Sequence, residues 1–243
     1  MSVAQDLETS KDVIFPPSNL YSNEPPFDSD LHMWQMIVLM QSLEWLWHDR
    51  NDFYAIGNLT IYYSLHQPTS RDFRGPDFFV VLGTQRKIRN SWVVWHEGGK
   101  YPNVIVEILS DSTAKTDKGL KKEIYQDTFR TPNYFWYDPK TLEFAGFILI
   151  GGSYQPIEPN QQGWLWSQQL DLYLGIHETK LRFFTSDGQL VPTLQEVAQI
   201  ETQRAEQEKQ RAEQEKQRAE QEKQRADRLA EKLRELNIDL DTF

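Results

Sequence analysis

Past Val191–Pro192–Thr193 the chain carries no aromatic residue until Phe243, and its composition collapses to Ala, Glu, Gln, Lys and Arg. A hydrophobic core needs the side chains that this stretch lacks, so whatever folds around one must lie before residue 192. Three identical copies of RAEQEKQ run from Arg204 to Gln224, and a seven-residue period in strong helix formers predicts one long helix. With Ala205, Ala212, Ala219 and Ala226 at position a, Glu208, Glu215 and Glu222 fall at d, and alanine facing glutamate makes no stable two-stranded seam. The repeat therefore reads as a solvated helix held by charge pairs three and four apart. It spans about 60 Å from Glu196 to Leu236 at ~1.5 Å per residue. Leu229, Leu233, Leu236 and Leu240 form a short leucine seam at its end, so this arm reads either as an inert appendage or as a spacer or weak homo-oligomer contact.

Three segments follow: an extended N-terminal arm over 1–27 with Pro16, Pro17, Pro25 and Pro26, a domain over 28–191, and the charged helix over 192–243. The opening MSVAQDLETSKD lacks the apolar core of a secretory signal and reads as a leader without fixed structure. The most apolar stretch, Met36 to Trp47, is broken by Gln41, Ser42 and Glu44, short of the roughly 20 apolar residues of a membrane span. With no cysteine, disulfides, thiolate zinc sites and cysteine nucleophiles are excluded, and a reducing compartment is implied. A soluble cytoplasmic protein without a membrane partner is the expectation. A formal charge of −10 argues against coating duplex nucleic acid by bulk electrostatics. Locally the sign reverses, and Arg71, Arg74, Arg86, Lys87, Arg89 and Lys100 read either as a basic rim near an acidic site or as a solvated loop.

Within the domain, Asp28 or Ser29 caps a helix over Leu31 to His48, whose apolar positions recur mostly at helical spacing and include Leu31 and Trp34. Ala55 to Tyr63, Phe78 to Leu82, Trp92 to Trp95 and Val104 to Leu109 are short, rich in β-branched and aromatic residues, and read as strands. Thr116 to Phe129 reads as a helix. Asn133 to Tyr137 and Phe144 to Ile150 return to strand character, with Gly151–Gly152 as a hairpin turn, and a β-rich finish follows. The fold class is α/β (α+β), a mixed β-sheet flanked by helices.

Glu107 lies inside NVIVEIL, an apolar run of the kind buried on both faces of a sheet, where a carboxylate must be neutral, paired or bound to a cation. An ion pair that merely holds the fold is the alternative. Asp77 follows Gly75–Pro76 at the mouth of FFVVL, as a turn residue or as a second acid. Two carboxylates on adjacent strands supply the hard oxygen ligands that Mg²⁺ uses, with water and substrate phosphate completing the octahedron. Lys121 and Tyr125, four apart, share a helix face, and a lysine aimed at such a site stabilises developing charge; on a solvated face it does nothing.

PNVIVEILSDSTAKTDKGLKKEIYQDTFRTPNYFWYDP resembles the signature block of the Uma-two family of restriction endonucleases, a branch of the PD-(D/E)XK nuclease superfamily. The likeness rests on a strand ending in VEILS, a Ser–x–Ser/Thr turn, an Asp, a Lys four residues before a Tyr, and Pro–x–Tyr–x–Trp/Phe–x–x–Asp–Pro. RGPDFFVV resembles the upstream Pro–Asp strand, and Leu31–His32 the histidine that opens the first helix. The resemblance covers about residues 28 to 175. It implies a restriction-endonuclease-like sheet, Asp77 and Glu107 as ligands of a divalent metal, Mg²⁺, and Lys121 as the catalytic lysine, with DNA as substrate. Tyr125, His32 and Glu44 are supporting candidates, Glu44 being preferred over Glu24, Asp28 and Asp30 as a further acid because it lies on the helix.

Two departures stand out. The usual place of the lysine, two residues after the acid, holds Leu109, and the segment from Gly83 to Gly99 inserts an extra strand between the two carboxylates. The Tyr–Glu–Leu segment frequent before the first helix is absent. The rival reading is a degenerate nuclease fold serving as a binding or assembly module through its tail; RNA is the rival substrate. No H-E-x-x-H, phosphate-binding Gly-rich loop or G-x-S-x-G elbow occurs, and most of the eight tryptophans are expected in the core, Trp164 and Trp166 being the ones partly exposed.

Overall fold

The computed structural model describes residues 20–24, 29–63, 73–110 and 116–235. The leader, most of the arm, Asp28, Arg71, Leu236 and Leu240 lie outside the described residues. Contacts divide the chain into two units, Met1–Leu194 and Gln195–Phe243.

Helix α1 (Asp30–Leu46) starts where the Ser29 side chain accepts the His32 N–H, with Asp30 in the first turn favourable to the helix dipole. Its inward face is not purely apolar. His32, Gln35 and Ser42 are buried beside Met36, Leu39 and Leu43, while Leu31 and Trp34 are 57% and 53% exposed. The reason is visible at Gln35, whose side-chain amide donates to the Leu181 carbonyl at 2.8 Å and accepts the Leu181 N–H at 2.9 Å. Gln35 thus does for the strand that carries Leu181 what a further strand would do. Replacing it with leucine keeps the volume but leaves two buried backbone groups without partners. The expected loss is about 2–4 kcal/mol at ~1–3 per orphaned group, read from denaturant unfolding with an unchanged slope.

Strands β1 (Phe53–Gly57), β4 (Phe78–Leu82), β6 (Val104–Ile108), β7 (Asn133–Tyr137), β8 (Phe144–Ile150) and β9 (Ser153–Pro156) form one sheet in the order β1-β4-β6-β7-β8-β9. Only β6 and β7 run parallel, and a helical crossover joins them. β2 (Ile61–Tyr62), β3 (Phe73–Arg74) and β5 (Trp92–Val93) make a small second sheet; β10 (Leu165–Ser167), β11 (Leu172–His177) and β12 (Lys180–Phe184) make a third. Alternation along the central strands sends Phe78, Val80, Val104, Val106 and Phe135 to a core with α1 and β10–β12. Phe79, Val81, Ile105 and Tyr134 go to a second core with Trp92, Tyr125 and Phe129. The result is a mixed sheet flanked by helices. Gly151 and Gly152, at φ +59° and +96°, form the turn between β8 and β9, the mirror-image geometry that matches strand twist.

Three elements differ from expectation. The run Ala55 to Tyr63 breaks at Asn58, which sits at φ +51° with its N–H on the Asp77 carbonyl, so β1 and β2 enter different sheets. Trp92 to Trp95 keeps two strand residues and then winds into a 3₁₀ turn, Val94–Glu97, closed by left-handed Gly98. The helix expected over Thr116 to Phe129 opens as a π-helical turn, Asp117–Lys121, before α2 (Lys122–Asp127).

In the second unit, α3 (Leu194–Glu235) has no buried residue, and Leu229 is 52% exposed. No helix among the described residues is long and apolar enough to cross a membrane.

Candidate functional site

Glu107 is fully buried near the end of β6. Because β5 leaves for another sheet, β4 becomes the antiparallel neighbour of β6, and the pairing Phe78↔Val106 sets Asp77 beside Glu107 and Ile108. The Ile108 N–H donates to Asp77 Oδ2 at 2.7 Å, and the Asp77 N–H faces Glu107 Oε2 at 3.4 Å. From the start of α1, His32 Nε2 reaches Asp77 Oδ1 at 3.0 Å. From the crossover, Lys121 Nζ lies 3.1 Å from Glu107 Oε2, and the Tyr125 hydroxyl donates to Glu107 Oε1 at 2.6 Å. The shared face of Lys121 and Tyr125 is therefore the face turned to β6.

A further acid joins them. Asp117, also fully buried, places Oδ1 2.8 Å from Lys121 Nζ, and its backbone carbonyl accepts the Tyr134 hydroxyl at 2.8 Å. Lys121 is held between two carboxylates, and the π-helical turn that spans both residues sets that geometry; such turns recur at functional sites. Asp117 is the acid after the Ser–x–Ser/Thr turn of the signature block, and as an acid four before a lysine on one helical run it carries a signal readable from the sequence.

The electrostatics follow from burial. Removal from water pushes the Glu107 carboxyl well above its ordinary value of 4.5; Lys121 and Tyr125 pull it down, but Asp77 and Asp117 add to the rise. Burial also works against the Asp77 charge, yet the His32 hydrogen bond, Lys121 and the Ile108 N–H outweigh it and hold Asp77 below its ordinary range. Burial alone would lower Lys121; Glu107, Asp77 and Asp117 reverse this and raise it. Tyr125 is pushed well up by burial and then by Glu107, so it stays a donor. Three carboxylates against one ammonium and one imidazole leave an excess of negative charge that a dry site cannot carry. Glu107, facing all the others, is where a proton or a cation settles the imbalance.

Glu44 does not join the cluster. It lies twelve residues along α1 from His32, about 18 Å at ~1.5 Å per residue, and pairs with Arg86 beside Phe53 and Tyr54. Glu24 accepts the Thr60 hydroxyl at 2.7 Å, and its carboxylate fills the space a Cβ on Gly75 would need. Asp30 is an exposed first-turn residue of α1. Four cations of the basic segment are engaged elsewhere: Arg86 on Glu44, Arg89 and Lys87 on Glu97, and Lys100 on the Gly83 carbonyl. These four lie at the far end of β4, about 17 Å from Asp77 at ~3.3 Å per residue, whereas Arg74, in β3 just before Asp77, donates to the Phe73 carbonyl.

The sequence profile of the Uma2 family, described as "Putative restriction endonuclease", matches residues 20–182. The chain belongs to the Uma2 family. The matched residues contain every member of the cluster named above, from His32 and Asp77 to Glu107, Asp117, Lys121 and Tyr125, and stop before α3. Among solved structures, a "putative nuclease belonging to DUF820" from Anabaena variabilis ATCC 29413 is similar at 14% identity and a TM-score of 0.48, over 64% of this Uma2 chain and 83% of that one. No curated protein matches the chain.

Proposed function

We propose that this Uma2 protein is a Mg²⁺-dependent endonuclease that hydrolyses DNA phosphodiester bonds at Asp77, Glu107 and Lys121. The observation that carries the reading is the convergence of a strand carboxylate, a second carboxylate at the mouth of the neighbouring strand and one helical lysine on a single buried point. No group of three or more His, Asp or Glu side chains set to hold a metal occurs among the described residues. Mg²⁺ sites that act on phosphates need no more than one or two protein carboxylates, because waters and substrate oxygens complete the shell. The donor set fits such an ion: two hard oxygen ligands, in a cluster with excess negative charge.

Asp77 and Glu107 would hold the ion, which when bound supplies a polarised phosphate and an activated water. His32 and the Ile108 N–H fix the orientation of Asp77. Tyr125 does the same for Glu107, as outer partners of metal ligands do. Lys121 donates toward a non-bridging phosphate oxygen as charge develops there. Asp117 keeps the ammonium aimed when the charge of Glu107 is shared with a cation. The lysine missing at Leu109 is thereby replaced from the neighbouring crossover.

The experiment is cleavage of plasmid and linear duplex DNA by the full chain with Mg²⁺, with EDTA and with RNA in place of DNA. Hydrolysis of DNA that requires the ion is the expected result. Hydrolysis unaffected by EDTA, or none with either nucleic acid, contradicts the reading, and the latter favours the binding-module alternative, with α3 as its arm.

A further inference from the structure

Trp136 is the register partner of Glu107 across the parallel β6–β7 pair. Alternation puts both on the face of the sheet that carries Tyr125 and Tyr134. Its neighbours Tyr134, Phe135 and Tyr137 are fully buried, whereas Trp136 stays partly exposed. On the other side its partner is Ala145, whose small side chain leaves the floor low beside the indole. Over the ring stands Lys118 Nζ, 4.0 Å from the centroid. Lys118 precedes Lys121 by three residues on the same turn, and its remaining ion pair, with Glu143 at 3.2 Å, is solvent-exposed.

We propose that Trp136 is the stacking platform for the nucleobase next to the phosphate held by Lys121, and that Lys118 is its displaceable cap. This rests on the nuclease reading and adds the substrate class. An exposed cation–π contact and an exposed ion pair are each weaker than base-on-aromatic stacking, so an incoming base displaces the ammonium. The freed Lys118 then lies within reach of the adjoining phosphate. Trp136 lies one strand spacing, ~4.8 Å, from Glu107, on which Lys121 is held at 3.1 Å, a separation within the reach of a single nucleotide. A base inside an intact duplex presents only its edges, so the platform selects a strand whose base is unpaired or flipped at the cleavage point.

The test is anisotropy of a fluorescein-labelled single strand of about 20 nucleotides, and of its duplex, in EDTA. It uses the full chain carrying Glu107→Gln, so that hydrolysis is blocked. Adding Trp136→Leu is expected to weaken single-strand affinity about 10-fold and duplex affinity little, whereas adding Trp136→Phe retains most of it. Equal single-strand affinity with tryptophan and leucine overturns the proposal. Should the leucine variant not fold, quenching of tryptophan emission by the same strand decides: it is expected to shrink in the Trp136→Phe protein, and undiminished quenching overturns the proposal. Binding of neither strand also overturns it, while the nuclease reading is judged separately by wild-type cleavage with Mg²⁺.

Discussion

Glu107→Gln is expected to lower Mg²⁺-supported cleavage by at least about 10³-fold, because it removes a ligand from the ion and several kcal/mol of charge stabilisation are worth about a decade per 1.4 kcal/mol. It should not unfold the protein. Glutamine is the isostere of the protonated acid that burial favours at this position; its carbonyl can accept from Lys121 and its amide can donate to Tyr125. Stability gives an independent reading with a definite sign. Glu107 is raised in the folded state, so above pH 4.5 the folded protein keeps a proton that the unfolded chain has released. Its contribution is therefore full below that pH and is lost as pH rises toward the folded value, by up to ~1.4 kcal/mol per unit. The glutamine variant has no such loss, so its stability relative to wild type should increase from about pH 5 upward. A variant that unfolds at all pH values would make Glu107 a purely structural acid.

Lys121→Ala should reduce turnover by about 10²–10³-fold, the range for removing a preorganised donor to developing charge. Metal affinity should be kept or tightened, since a cation 3.1 Å from Glu107 is gone. The buried acids lose their ammonium, a change that can cost about 3–5 kcal/mol when a buried pair is broken, so rates are compared well below the variant's melting temperature. Lys122→Ala is the control. Its Nζ stands 3.4 Å from the Phe147 centroid, away from the cluster, so its loss should leave the rate within about twofold and cost only ~0.5–1 kcal/mol of stability. Equal losses for the two lysines would remove Lys121 from the mechanism.

How far the site could be read from sequence depended on whether its signals were local. Glu107 was legible because an acid inside NVIVEI violates the burial rule, and Lys121 with Tyr125 because helical spacing is a local property. That β4 and β6 are neighbours was not derivable from pattern: it depends on Trp92–Val93 leaving to pair with Ile61–Tyr62, a tertiary choice. His32 was legible only through the family resemblance and Gln35 not at all, because their inward positions are set by partners 45 and 146 residues away, Asp77 and Leu181. Glu44 was misplaced for the same reason, since lying on the correct helix does not specify which end of it meets the sheet. The break at Asn58 falls at Gly57–Asn58, a turn dipeptide that a continuous strand from Ala55 to Tyr63 runs through, so here a local signal was outweighed by the strand formers further out on each side.

The most direct measurement is anomalous diffraction from crystals of the full chain soaked in Mn²⁺, an ion that takes the same oxygen ligands as Mg²⁺. The account predicts a peak between Asp77 and Glu107, within about 2.0–2.6 Å of an oxygen of each, with Lys121 still on Asp117. Saturating Mn²⁺ that supports cleavage yet leaves no peak between those two carboxylates would contradict it.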